Sequence, residues 1–150
     1  MKPFLLVACT ALALALAAGA GIAEDPAADR PLLTEATSLD PFLWTARPIV
    51  VFADSANDPR FIQQIALLEA RKAELFTRDV VVIADTDPEM RSEIRTQLRP
   101  RGFSVVIIDK DGKVIRRKPA PWDVREVTRA IDKTPLRLQE IRDAARGAGG

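Results

Sequence analysis

Two uninterrupted runs of apolar, mostly β-branched residues constrain this chain more than any other feature. Pro48-Ile49-Val50-Val51-Phe52-Ala53 and Val80-Val81-Val82-Ile83-Ala84 are each of strand length. Neither alternates with polar residues, which is the pattern of a strand buried on both faces. The stretch between them opens with Asp58-Pro59, an N-cap with proline at the first helical position. Phe61, Ile65, Leu68 and Leu75 then fall on one face of a helix that is expected to run to about Thr77. Two buried strands joined through a helix run parallel, with a right-handed crossover between them.

The rest of the chain extends this unit. Asp87-Pro88 repeats the cap-plus-proline start for a shorter helix to about Leu98, and Pro100-Arg101-Gly102 breaks it. Phe103 to Ile108 reads as a third strand and Val114 to Lys118 as a fourth. Between them Asp109-Lys110-Asp111-Gly112-Lys113 forms a hairpin turn. Arg116, Arg117 and Lys118 suit an edge strand, where charge blocks sheet-to-sheet pairing. Asp123 and Glu126 are spaced as a capping box, with Trp122 and Val127 at the staple positions, for a helix ending near Asp132. Thr134-Pro135 opens a last helix, with Arg137, Arg142 and Arg146 opposite Leu138 and Ile141, expected to dock on the domain. Asp40 to Trp44 reads as a short helical turn whose aromatic residues cover one end of the core. The order β-α-β-α-β-β-α predicts an α/β, thioredoxin-like fold: a four-stranded mixed sheet with an extra C-terminal helix.

The first 23 residues read as a signal peptide. Lys2 is a positive n-region, an Ala/Leu-rich run extends from Phe4 to about Ala18, and either Ala18-Gly19-Ala20 or Gly21-Ile22-Ala23 precedes the cut. The expected location is periplasmic or secreted, without a stable membrane span once the signal is removed. The alternatives are anchoring by an uncleaved segment, since about 20 apolar residues span a bilayer, or lipidation of Cys9 in Leu6-Val7-Ala8-Cys9. Residues 24–38 read as a linker, 39–146 as the domain and 147–150 as a disordered tail.

Composition then excludes several functions. Cys9 is the sole cysteine, so no thiol survives removal of residues 1–23 and no disulfide can form. Histidine and tyrosine are absent, which removes the commonest general base and metal ligand. The 22 basic residues, less Lys2, equal the 21 acidic ones, and nucleic-acid binding normally needs a basic excess.

The segments Trp44 to Ala53 (WTARPIVVFA), Asn57 to Arg60 (NDPR), Gly102 to Lys113 (GFSVVIIDKDGK) and Ile131 to Ile141 (IDKTPLRLQEI) occur in an order that is specific although each is weak alone. With them, the chain from about Leu39 to Arg146 resembles the thioredoxin-like domain of unknown function of small bacterial exported proteins. That domain also occurs in extracellular chordate proteins with sushi repeats, the so-called DUDES group. The resemblance implies fold and export, and no activity. In thioredoxins the loop after the first strand carries C-x-x-C, whose thiol is acidified at a helix N-terminus, and a cis-proline precedes the third strand. The matching loop here is Asp54-Ser55-Ala56-Asn57-Asp58-Pro59-Arg60, without sulfur, and Arg101-Gly102 occupies the second place. Disulfide exchange and thiol peroxidase chemistry require a sulfur nucleophile and are not expected.

Ligands of open α/β sheets bind beyond the carboxyl ends of the parallel strands, so Asp54, Ser55, Asn57, Asp58, Arg60 and Arg101 form the candidate ligand-binding loop. Asp58 and Asp87 are explained as caps, which leaves Asp54 and Asp85 as weak candidates for a hard cation. Ser55 has no histidine or nearby lysine to activate it. Arg60, Arg99 and Arg101 could recognise a carboxylate or phosphate. The expected role is a non-catalytic binding module that uses no cofactor and whose partner is another exported protein or a small anionic ligand. The alternative is a cation-dependent enzyme or a ligand-binding protein at the acidic edge around Asp54 and Asp85.

Overall fold

A computed structural model describes residues 30–149. The expected signal peptide and cleavage site, and Cys9, lie outside the described residues. The fold is α/β and thioredoxin-like. Strands β1 (Arg47–Phe52), β2 (Val80–Asp85), β3 (Ser104–Ile108) and β4 (Val114–Lys118) form one mixed sheet in the order β2-β1-β3-β4. β1 and β2 are parallel, as two buried strands bridged by a helix require. β3 runs antiparallel to β1 and forms a hairpin with β4, whose turn places Gly112 at φ +83.

Strand alternation divides the core into two layers. Ile49 and Val51 face Leu68 and Leu75 from the first helical stretch and Val124, Val127 and Ile131 from α4 (Val124–Asp132). Val50 and Phe52 face Leu39 and, from α3 (Glu93–Leu98), Ile94 and Leu98. The sheet is covered on both sides, so its central strands carry no polar face.

Several elements differ from expectation for local reasons. The helix after β1 breaks at Ala70–Arg71 into α1 (Pro59–Glu69) and α2 (Lys72–Phe76), which keeps Leu68 and Leu75 both fully buried. Asp87-Pro88 starts only a 3-10 turn, Pro88–Met90. Arg91 then turns to φ +44, and Ser92 caps α3 afresh. At α4 the Asp123 side chain accepts from the Arg125 N–H, while Glu126 reaches Lys118 instead of closing a capping box. Trp122 and Val127 are buried as a staple should be.

Within 24–38, Leu32 to Thr34 run along β2. Leu32 is buried, and its carbonyl accepts from Val82 N–H while Thr34 N–H donates to the Val82 carbonyl, an isolated parallel bridge along β2. One bridged residue leaves no period for a sequence pattern to register. Trp44, expected over the core, is 68% exposed at φ +63, held there by its N–H on the Lys110 carbonyl. The last helix, α5 (Pro135–Gly147), buries no residue and leaves Leu138 and Ile141 exposed.

Candidate functional site

The loop after β1 is exposed but internally occupied. Ser55 Oγ accepts from Asn57 N–H at 3.1 Å and the Ser55 carbonyl accepts from Asp58 N–H at 3.1 Å. Asp58 caps α1 by accepting from Arg60 N–H at 2.9 Å, and the Arg60 guanidinium returns to grip the same carboxylate at 3.1 and 2.7 Å. That side-chain hydrogen bond holds the Asp58 carboxyl below its usual range and raises the pKa of Arg60. The expected anion-binding arginine is therefore spent on its own cap. Arg60 also lies over the Phe103 ring, 5.3 Å from its centroid. The loop bounds an open hollow of about 490 Å³.

The other candidates separate. Gly102 stands at φ +60 beside Asp54, where a Cβ would make only an ordinary contact with Asp54 Oδ2 at 3.9 Å. Arg101 lines a different hollow of about 360 Å³ with Arg99, Phe103, Ser104 and Arg117. Asp85 is the register partner of Phe52 at the end of β2, but its carboxylate is committed. Arg95 donates to Oδ1 at 2.7 and 3.1 Å and Ser92 Oγ donates to Oδ2 at 2.6 Å. Arg95 also reaches the Ala53 carbonyl at 3.2 Å, tying the ends of β1 and β2 together. Arg95 leaves Asp54 alone among the two proposed cation ligands, and no group of three metal-ligating acids occurs among the described residues.

The opposite end of β1 holds a cluster that sequence reading did not single out. Arg47, the first residue of β1, is completely buried. Its Nε donates to Asp109 at 2.8 Å, and its two terminal nitrogens fork onto Glu140 of α5 at 3.1 and 3.0 Å. A further bond goes to the Arg78 carbonyl at 3.1 Å. Lys110 bridges Asp79 and Glu140, both at 2.8 Å, and Arg137 reaches Glu140 at 3.1 Å. Arg78 grips Asp132 at 2.9 and 2.7 Å. Burial pushes the Glu140 carboxyl up, but hydrogen bonds from Arg47, Lys110 and Arg137 outweigh it and bring it down to about 2. Burial also disfavours charged Lys110, and Asp79 and Glu140 reverse that, raising its pKa.

Three of the four segments that carry the family resemblance meet in this cluster: Arg47 from the first, Asp109 and Lys110 from the hairpin, and Asp132, Arg137 and Glu140 from the last. The available signal was a charge inside an otherwise apolar strand, directly before Pro48, with matching charges in the most distinctive motif.

Among solved structures, the reduced 2-Cys peroxiredoxin of Plasmodium vivax superposes with a TM-score of 0.54 at 13% identity, over 70% of this chain and 84% of the other. Chloroplastic thioredoxin z gives 0.51 at 20% identity, over 68% and 94%. Prx1a of Plasmodium yoelii gives 0.51 at 16%, over 70% and 80%. At these identities the likeness is one of fold. Among the described residues no helix is long and apolar enough to cross a membrane. The domain of unknown function DUF4174 matches residues 38–140, which is most of the chain and includes the whole sheet, and the chain belongs to that family.

Proposed function

We propose that this protein is an exported, non-catalytic thioredoxin-like binding module. The observation that carries the reading is the loop Asp54–Arg60. It occupies the position of a thioredoxin redox loop, contains no sulfur, and closes its polar groups on one another. A nucleophile needs an activating base or a lowered pKa, and Ser55 has neither: its hydroxyl oxygen serves the Asn57 N–H. Export rests on Lys2 and the apolar run that follows it, and on the resemblance to exported thioredoxin-like domains. The partner is another exported protein. The alternative, a cation-dependent enzyme at the acidic edge, is disfavoured by the commitment of Asp85 to Arg95 and Ser92.

The test is photocrosslinking in living cells that express the full chain, with the probe placed at exposed positions around the domain, followed by fractionation. The expected result is a reproducible adduct with one protein outside the cytoplasm and no dithiol-dependent reduction of insulin. Turnover of a substrate that requires Ca²⁺ or Mg²⁺, with no adduct at any position, overturns the reading.

A further inference from the structure

The charges of this chain balance overall, but they do not balance along β4. On the face that carries α4, Arg116 and Lys118 of the strand join Arg129 and Lys133 around a hollow of about 420 Å³. Trp122 lines it, with the Lys118 ammonium 5.4 Å from its ring centroid. The hollow contains one carboxylate, Glu126, whose contact with Lys118 is long at 3.4 Å. Arg116, Arg129 and Lys133 form no ion pair among the described residues. Arg117 borders both hollows; its guanidinium lies on the Leu98 carbonyl at 2.6 Å, beside Arg99 and Arg101 in the second.

β4 is also an edge of the sheet: it pairs with β3 alone. Every second residue of such a strand turns its backbone N–H and C=O outward, which makes the edge a template for another strand. Here cations occupy three successive strand positions, and α4 and the Arg99–Arg101 turn add more on both sides. Several other cations of this domain, Arg47, Arg60, Arg78 and Arg95 among them, are held by nearby carboxylates.

We infer that β4 accepts an extended, acidic peptide segment of a partner protein as a fifth strand. The backbone edge supplies the hydrogen bonds and sets the register, as in other strand-addition complexes. Side chains of an added strand alternate between faces. Carboxylates on one side would enter the Arg116, Lys118, Arg129 and Lys133 hollow, and those on the other would meet Arg117, Arg99 and Arg101. The inference rests on the binding-module reading and specifies its surface and its partner.

The probe is a fluorescent octapeptide of glutamate pairs alternating with valine pairs, which places carboxylates on both faces of an added strand, titrated by anisotropy against the protein as the cell processes it. The expected result is binding that weakens steeply with salt, falls at least ten-fold in the double variant R116E/R129E, and is lost when prolines replace alternate valines. Both substitutions are at exposed positions, and circular dichroism confirms the fold of the variant. Equal binding of the proline-interrupted peptide overturns strand addition. So does an unchanged affinity in the charge-reversal variant, complete competition by millimolar inorganic phosphate, or a preference for anionic phospholipid vesicles over the peptide. A cellular photocrosslink that forms from Asn57 and never from β4 positions defeats this inference while leaving the binding-module reading intact.

Discussion

The two ends of β1 solve the same problem in opposite ways. In the loop at its carboxyl end, side chains bond within a few residues of themselves: Ser55 to Asn57, Asp58 to Arg60. At its amino end, a guanidinium is taken wholly out of water and held by carboxylates 62 and 93 residues away. A local, exposed arrangement constrains little beyond its own loop. A buried, long-range one makes the hairpin turn and α5 conditional on β1, because removing any partner leaves charge stranded in a poor solvent. In proteins of this fold that carry C-x-x-C, the chemistry sits at the carboxyl end. Here the buried, long-range charge cluster lies at the amino end.

Arg47→Met is the strongest way to break the comparison. It keeps most of the side-chain volume but strips Asp109 and Glu140 of their shared cation. Breaking a buried pair from one side costs about 3–5 kcal/mol, read as a lower urea midpoint at unchanged m-value. A cost below about 1 kcal/mol would mean that the amino-end cluster is no more demanding than the loop.

Acid titration sharpens the same contrast. The folded Glu140 carboxyl titrates at about 2, below its ordinary 4.5. A depressed folded pKa contributes stability that is fully present above the unfolded value and lost as pH falls through the folded one. Stability should therefore fall between about pH 4.5 and pH 2, with Glu140 accounting for roughly 2–3 kcal/mol after allowance for its partial exposure. Glu140→Gln should remove that part of the slope while lowering stability at neutral pH. A slope in this window unchanged by the substitution would place the acid sensitivity elsewhere.

The contrast also explains what was legible in the sequence. Strands β1 to β4, the Asp58 and Thr134 caps and the Trp122 staple follow from local periods and local chemistry, and each lies within a few residues of where sequence places it. The break at Ala70–Arg71, the 3-10 turn after Asp87 and the Leu32 bridge are set by the surface these residues pack on, which no local window contains. Arg47 is the extreme case: its burial depends on Asp109 and Glu140, and an arginine at the mouth of a strand reads as solvated until both are in place. Of the loop residues, Asp54, Ser55, Asn57, Asp58 and Arg60 border one hollow. Arg101 borders a different hollow with Arg117, and Asp85, the weak cation candidate paired with Asp54, is held by Arg95; these partners become visible only when β2, α3 and β4 are assembled.

Ser92→Ala tests the one tightly held element near the carboxyl end. Its hydroxyl oxygen caps α3 through Arg95 N–H at 3.0 Å and donates its proton to Asp85. Loss of an N-cap costs about 1 kcal/mol, and the lost bond to a charged acceptor adds to it. The expected result is a loss between that of Arg47→Met and that of any loop variant. A loss as large as that of Arg47→Met would erase the distinction between the two ends.

The smallest effect is expected in the loop itself, and it is the sharpest test because it predicts almost nothing. In the pair Ser55→Ala and Asn57→Ala the first substitution removes one exposed side-chain acceptor, and the second a side chain that makes no hydrogen bond among the described residues. Exposed substitutions of this kind normally stay within about 0.5 kcal/mol. If the loop has kept no chemistry, the double variant should match the parent in urea midpoint and in the yield and identity of cellular adducts. Unchanged stability with a lost adduct would return the binding surface to the thioredoxin position and away from β4. A large stability loss would mean that bonds spanning two residues in open water contribute as much as those spanning ninety-three in the core, and desolvation gives no reason to expect that.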